Sequence, residues 1–154
     1  MKKEFSKACA SALNNLLADQ YVLLTKLLNF HWNVTGRQFL SDHEFFEKLY
    51  NEAFVNADDI AERIRIEGGR PVASLKGMLS HNRIKEWEED KPIPESKEMY
   101  AIIAADYETL IGEILKDIET LTAEEACDEG GLSFLSDMVS RAQKSAWMIK
   151  SHIE

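Results

Sequence analysis

Glycine and proline are scarce in this chain of 154 residues, which has 7 of the first and 3 of the second. A turn-rich β fold would need more of both, because glycine supplies positive φ and proline presets a turn. Long helices are the architecture left. Cysteine occurs twice, as Cys9 and Cys127. They show no metal-ligand spacing and read as two reduced thiols in a cytoplasmic protein. No run of about 18 apolar residues is present, nor any signal-peptide pattern, so neither membrane insertion nor secretion is expected. Basic residues are also short: 18 Lys and Arg face 27 Asp and Glu, a formal net charge of −9. That balance opposes nucleic-acid binding by the body of the protein and suits a cationic partner. Hydrophobic residues make up 45% and charged residues 29%, as in ordinary soluble proteins. The length suffices for one domain, residues 1–154, with its own core.

Four long helices follow from the apolar period. The first spans about Phe5 to Asn33, with Ala8, Ala12, Leu13, Leu16, Leu17, Leu23, Leu24, Leu27 and Leu28 inward. The second runs from Ser41, where Ser41 and Glu44 fit a capping box and Leu40 with Phe45 a hydrophobic staple, to about Ile66. Gly68-Gly69-Arg70-Pro71 stops it. A long connection from about 69 to 95 holds a short helix near Ala73 to Ser80. The third long helix covers about Glu95 to Leu121. Thr122, Gly130 and Gly131 break the pattern, and the fourth covers about Ser133 to His152. Two helical hairpins joined by one long crossover make an all-α, ferritin-like four-helix bundle with a short extra helix in the crossover.

The chemistry concentrates between His31 and Arg63. With His43 at zero and 100° per residue, Glu47 falls near about 40°, Asp58 near about 60° and Glu62 near about 100° on one helix. Aromatics share that side, which a merely solvated face does not explain. At 1.5 Å per residue, Glu47 and Asp58 lie roughly 16 Å apart along the axis. One ion cannot bridge that gap, because metal–oxygen bonds are about 2 Å long. The stripe therefore reads as two half-sites, His43 with Glu47 and Asp58 with Glu62. A two-fold axis through the helix middle would bring one half from each chain together, twice. His31 joins the first half-site: it ends the preceding helix, Gly36 makes the turn, and a short connection sets the helices antiparallel. Taken singly, each of these residues has an ordinary reading as a cap or a solvated polar group. Imidazole with carboxylate and no thiolate suits iron; zinc or copper would also fit His31 and His43.

The runs NFHWNVTG, F-L-x-x-H-E, DDIAERI and GGRP, with KSAWMIKSH near the end, resemble the Dps family of miniferritins over essentially the whole chain. The resemblance implies a shell of twelve four-helix subunits, a homo-oligomer in the cytoplasm. It implies a ferroxidase that oxidises ferrous iron with hydrogen peroxide or oxygen and stores the ferric product, with sites between two-fold related chains. The family's iron motif falls on His31, His43, Glu47, Asp58 and Glu62; position 47 is commonly Asp in the family, so altered metal geometry is expected. Trp32, beside His31, is implied as a neighbour that absorbs oxidising equivalents. Acids among Glu124, Glu125, Asp128, Glu129 and Asp137 are implied to line pores that admit iron. His81 and His152 lie off the stripe and read as surface residues. Ordinary ferritins instead carry Glu-x-x-His within one bundle; here Leu28, Leu40, Met78 and Ile149 stand three residues before the four histidines. DNA compaction is the alternative activity of the resembled family. Only Lys2, Lys3 and Lys7 stand at or before the first helix, so DNA binding is expected to be weak or absent.

Overall fold

A computed structural model of the chain describes residues 6–154. Five helices follow in order: α1 (Lys7–Asn33), α2 (Phe39–Ile66), α3 (Leu75–Met78), α4 (Ser96–Ala123) and α5 (Glu129–Ser151). No strand occurs among the described residues. Residues 34–38 join α1 to α2 and residues 124–128 join α4 to α5, and such short connections make antiparallel neighbours. α1 also touches α4, and α2 touches α5, which closes a four-helix bundle. The crossover, residues 67–95, returns the chain to the far end and carries the single-turn helix α3 against α1. The all-α architecture therefore agrees with the apolar period. No described helix is long and apolar enough to cross a membrane.

The core is built from the inward stripes. Leu13, Leu23 and Leu27 of α1 meet Phe46, Leu49 and Ile60 of α2, Met99 and Ile114 of α4, and Leu135 and Ile149 of α5. Each such side chain, fully buried, stabilises the fold by about 1.5–3 kcal/mol relative to exposure. Ala8, expected inward, is exposed.

Element ends differ from the sequence reading in instructive ways. Phe5 lies outside the described residues; Ser6 caps α1 by accepting a hydrogen bond from the Cys9 N–H at 3.3 Å. α2 starts at Phe39, two residues before Ser41, and the expected capping box does not form. Gly36, at φ +120°, makes so sharp a turn that helical bonding resumes at once. Ser41 is then already inside the first turn, where its hydroxyl donates to the Gln38 carbonyl at 3.0 Å. α4 continues through Thr122, and α5 begins at Glu129, so Gly130 and Gly131 belong to a helix rather than ending one.

Two polar residues of α1 fasten the crossover. The Asn14 amide donates to the Arg70 carbonyl at 3.2 Å and accepts from the Val72 N–H at 2.8 Å. Asp19, fully buried, accepts from the N–H groups of Arg83 and Ile84 and from the Arg83 guanidinium. Arg83 reaches on to Asp117 of α4 at 2.9 Å, so one cation ties three segments together.

The cysteines correct the sequence reading. They are not reduced thiols: Cys9 and Cys127 form a disulfide, with Cα atoms 5.1 Å apart, across 118 residues of chain. The start of α1, the end of α2 and the start of α5 share one end of the bundle. Topology thus joins two residues that linear spacing kept apart.

Candidate metal centre

The opposite end of the bundle carries the histidines. His31 sits in the last turn of α1 and is buried; His43, the fifth residue of α2, sits just past its first turn and is half-buried. The two imidazole rings stack, with centroids 3.8 Å apart and planes 15° from parallel. Each Nδ1 lies 2.8 Å from the other residue's backbone carbonyl. A carbonyl only accepts, so each Nδ1 carries its proton and donates it. In a neutral imidazole so oriented, Nε2 keeps the lone pair, the form that binds a metal. Phe39 lies against the His43 ring at 5.1 Å, and Tyr50 presents its edge to His31 at 5.2 Å.

Glu47 stands one turn along α2 from His43, exposed. The Tyr50 hydroxyl donates to its Oε1 at 3.3 Å. Burial, and then the Glu47 charge, raise the Tyr50 phenol above its ordinary value, so it remains a donor. The structure thus sets His31 against His43 and connects Glu47 to them through Tyr50. Tyr50 was missed as a functional residue in the sequence. Its signal was available, because residues three apart face each other on a helix.

Asp58 and Glu62 are about three and four turns beyond Glu47 on the same helix and do not join this cluster. Both are exposed, and neither makes a hydrogen bond or ion pair among the described residues. Their sequence neighbours take the cations instead: Asp59 pairs with Arg141 at 2.9 Å, while Arg63 holds Glu67 and Asp128. Asp58 lines a shallow cleft with Tyr21, Phe54, Ala61 and Leu75. Phe54 and Leu75 are 59% and 76% exposed there, an apolar surface around an unpartnered carboxylate. Among the described residues, only Cys9, Glu67 and Cys127 place three potential ligand atoms within 4.8 Å of one another. The five motif residues do not do so in a single chain: Asp58 and Glu62 are too far along the axis, and His31, His43 and Glu47 do not bring their ligand atoms that close to one another.

A second layer fixes the start of α2. Asp42, buried beside His43 in sequence, accepts from the Tyr100 hydroxyl at 2.6 Å. The Tyr100 ring stacks on Phe46 at 5.0 Å and on His152 at 4.8 Å. Burial, and then Asp42, push the Tyr100 phenol far above its ordinary value. His152, expected to be a plain surface residue, is exposed yet stacked on Phe45 at 4.2 Å. His81 is half-buried, its Nδ1 donating to the Gly77 carbonyl at 2.9 Å. Trp32 is 68% exposed and lines a cleft with Trp87, Glu88 and Asp90 of the crossover. Of the acids near the start of α5, Asp128 caps the helix and accepts from Arg63, and Asp137 pairs with Arg141. Glu124, Glu125 and Glu129 are exposed. Lys2 and Lys3, on which the expectation about DNA partly turns, lie outside the described residues.

Comparison with known proteins agrees with this fold. A ferritin-like domain family matches residues 10–154. DNA protection during starvation protein 2 of Bacillus anthracis is 39% identical over 149 residues, covering 96% of this chain and 98% of that protein. The crystal structure of a Dps protein from Bacillus brevis superposes with a TM-score of 0.88 at 34% identity, covering all of both chains. The Dps protein of Vibrio cholerae, described as a member of a broad superfamily of ferritin-like diiron-carboxylate proteins, gives a TM-score of 0.85 at 29% identity. That match covers 95% of this chain and 89% of the other.

Proposed function

The chain belongs to the Dps family of ferritin-like proteins, and from that premise we propose that it oxidises ferrous iron with hydrogen peroxide or oxygen. The ferric product is stored in a cytoplasmic shell of twelve copies. Iron is the substrate and cargo, and the ligands are His31, His43 and Glu47 of one chain with Asp58 and Glu62 of its two-fold partner. One observation carries the reading: two imidazoles hold each other with both Nε2 lone pairs unused, while two unpartnered carboxylates stand on the same helix too far away to reach them. The apolar surface around Asp58 supports the pairing, since a second copy would cover Phe54 and Leu75 and lead its histidine end to the carboxylates.

The donor set suits the chemistry. Carboxylates favour the harder ferric ion over the ferrous one and so help drive oxidation. Neutral imidazoles bind the ferrous ion without adding charge. Tyr50 holds Glu47 in place, and Asp42 with Tyr100 holds the first turn of α2.

The test is complementation between two defective subunits. H31A/H43A and D58A/E62A assemblies are each expected to be inactive in peroxide-driven ferrous oxidation. Co-expressed in equal amounts and paired at random, they restore about a quarter of the sites, because half the dimers are mixed and each mixed dimer has one intact site. A mixed assembly as inactive as its parents would sink the shared-site reading.

A further inference from the structure

We propose that Cys9 and Cys127 form a second peroxide-consuming site, a buried dithiol that hydrogen peroxide converts to the disulfide. It lies at the end of the bundle away from the histidines and needs no metal, so it stands apart from the ferroxidase reading.

Three features distinguish this pair from an inert staple. The chain does not need one: 154 residues with a continuous core lie well above the size at which disulfides substitute for burial. Both sulfurs lie at the edge of the apolar core, but a carboxylate stands beside them, whereas inert structural cysteines sit among apolar groups alone. The Glu67 carboxylate lies within 4.8 Å of both sulfurs, and Arg63 bridges Glu67 to Asp128. Finally, the two positions are unequal. Cys9 is fully buried on α1, while Cys127 is 8% exposed and precedes the cap of the 23-residue helix α5. The Cys127 sulfur rests on the first turn of that helix, so close that a Cβ on Gly131 would lie 2.4 Å from it. A helix N-terminus favours thiolate over thiol.

This asymmetry assigns the steps. Cys127 gives its proton to the Glu67 carboxylate, whose proton affinity burial raises, with Arg63 lowering it and Asp128 raising it. The thiolate attacks one peroxide oxygen. The O–O bond breaks, the Cys127 sulfur becomes a sulfenic acid, and the leaving hydroxide takes the proton from Glu67 to depart as water. The Cys9 sulfur then attacks the Cys127 sulfur. The S–S bond forms, the S–O bond breaks, and the second hydroxide leaves as water with the Cys9 proton. Two thiols and one peroxide yield one disulfide and two waters, and the two electrons pass from the sulfurs to the peroxide oxygens. An external thiol or dithiol reductant restores the starting state.

The experiment uses the assembled protein, reduced with a phosphine, freed of reductant, and kept with a strong chelator so that iron chemistry is silent. One equivalent of hydrogen peroxide per subunit is expected to consume both thiols and lower the intact mass by two hydrogens, with no cross-link between subunits. In Cys9→Ser the reaction stops at a sulfenic acid on Cys127, trapped by dimedone; in Cys127→Ser the Cys9 thiol persists. The proposal is overturned if wild-type thiols survive excess peroxide while the fold is intact. It is equally overturned if the disulfide is reducible only on unfolding, or if the reduced protein retains stoichiometric zinc that protects both thiols. The wild-type measurement decides the matter even if a serine variant fails to assemble. Because no iron takes part, failure here leaves the shared iron site standing, and the reverse also holds.

Discussion

His31 and His43 hold each other: each Nδ1 donates to the other's main-chain carbonyl at 2.8 Å, between residues twelve positions apart in the chain. The orienting acceptor for each ring is backbone, so it survives when the other side chain is removed. Replacing one histidine by alanine therefore deletes one proposed ligand and leaves the other ring correctly turned. Each single variant is expected to slow ferrous oxidation by roughly 10–100-fold, the scale seen when groups that tune metal sites are lost. The double variant should fall to the uncatalysed rate. Stopped-flow absorbance of the ferric product measures this, with size-exclusion elution as the check that the shell still assembles. Rates within twofold of wild type would remove both residues from the site.

Tyr100 and Asp42 offer a stability test of the layer beneath. Tyr100→Phe leaves a buried carboxylate without its donor at the first turn of α2, at a cost of about 1–3 kcal/mol. The pH dependence has a definite sign. Tyr100 and Tyr107 are both raised above the ordinary 10.0, by burial first and by Asp42 and Glu52 respectively. In the unfolded chain they ionise near 10; in the folded chain they stay protonated. Their contribution is therefore whole below about pH 10 and is lost as pH rises beyond it. Wild type should lose stability above that point more steeply than Tyr100→Phe, which has one fewer such group. Urea unfolding at about pH 8 and about pH 11 reads the difference.

Charge decides the question of DNA. With a formal net charge of −9, the protein as a whole is expected to repel the phosphate backbone. A gel shift, if seen at low salt, should vanish by about 150 mM. A shift that persists there would show a basic surface that the composition conceals.

Much of the bundle was legible because helical period is written locally. Leu13, Leu16, Leu23 and Leu27 mark the face of α1 wherever the rest of the chain goes, and all four are buried. The histidine end was legible for a related reason: His31 and His43 flank a short turn, so topology had few choices. What the sequence hid lies where three or four segments meet. Nothing near Cys9 points to Cys127, since their contact depends on the handedness and length of the whole crossover. The glycines at 130 and 131 looked like breakers because a sequence shows a missing side chain without showing what occupies its space. Asp42 and Tyr100 escaped notice for the same reason, being 58 positions apart.

Those glycines supply the last test. Gly131 is buried, and a Cβ there would lie 2.4 Å from the Cys127 sulfur and 2.8 Å from Glu67 Oε1. Both neighbours are fixed, one by the disulfide and the other by Arg63. Gly131→Ala must therefore displace the corner where α1, α2 and α5 meet, at about 1–3 kcal/mol, the usual cost of overpacking. At Gly130 the added carbon meets only the end of the Arg63 side chain, at 2.9 Å. That group can swing aside, and alanine gains up to about 1 kcal/mol of helix propensity over glycine, so Gly130→Ala should be nearly neutral. Denaturant midpoints of the two variants separate the cases. Equal midpoints would mean that the Cys127 corner is loosely packed, and Gly131 would then be an ordinary helical glycine with no steric reason to be one.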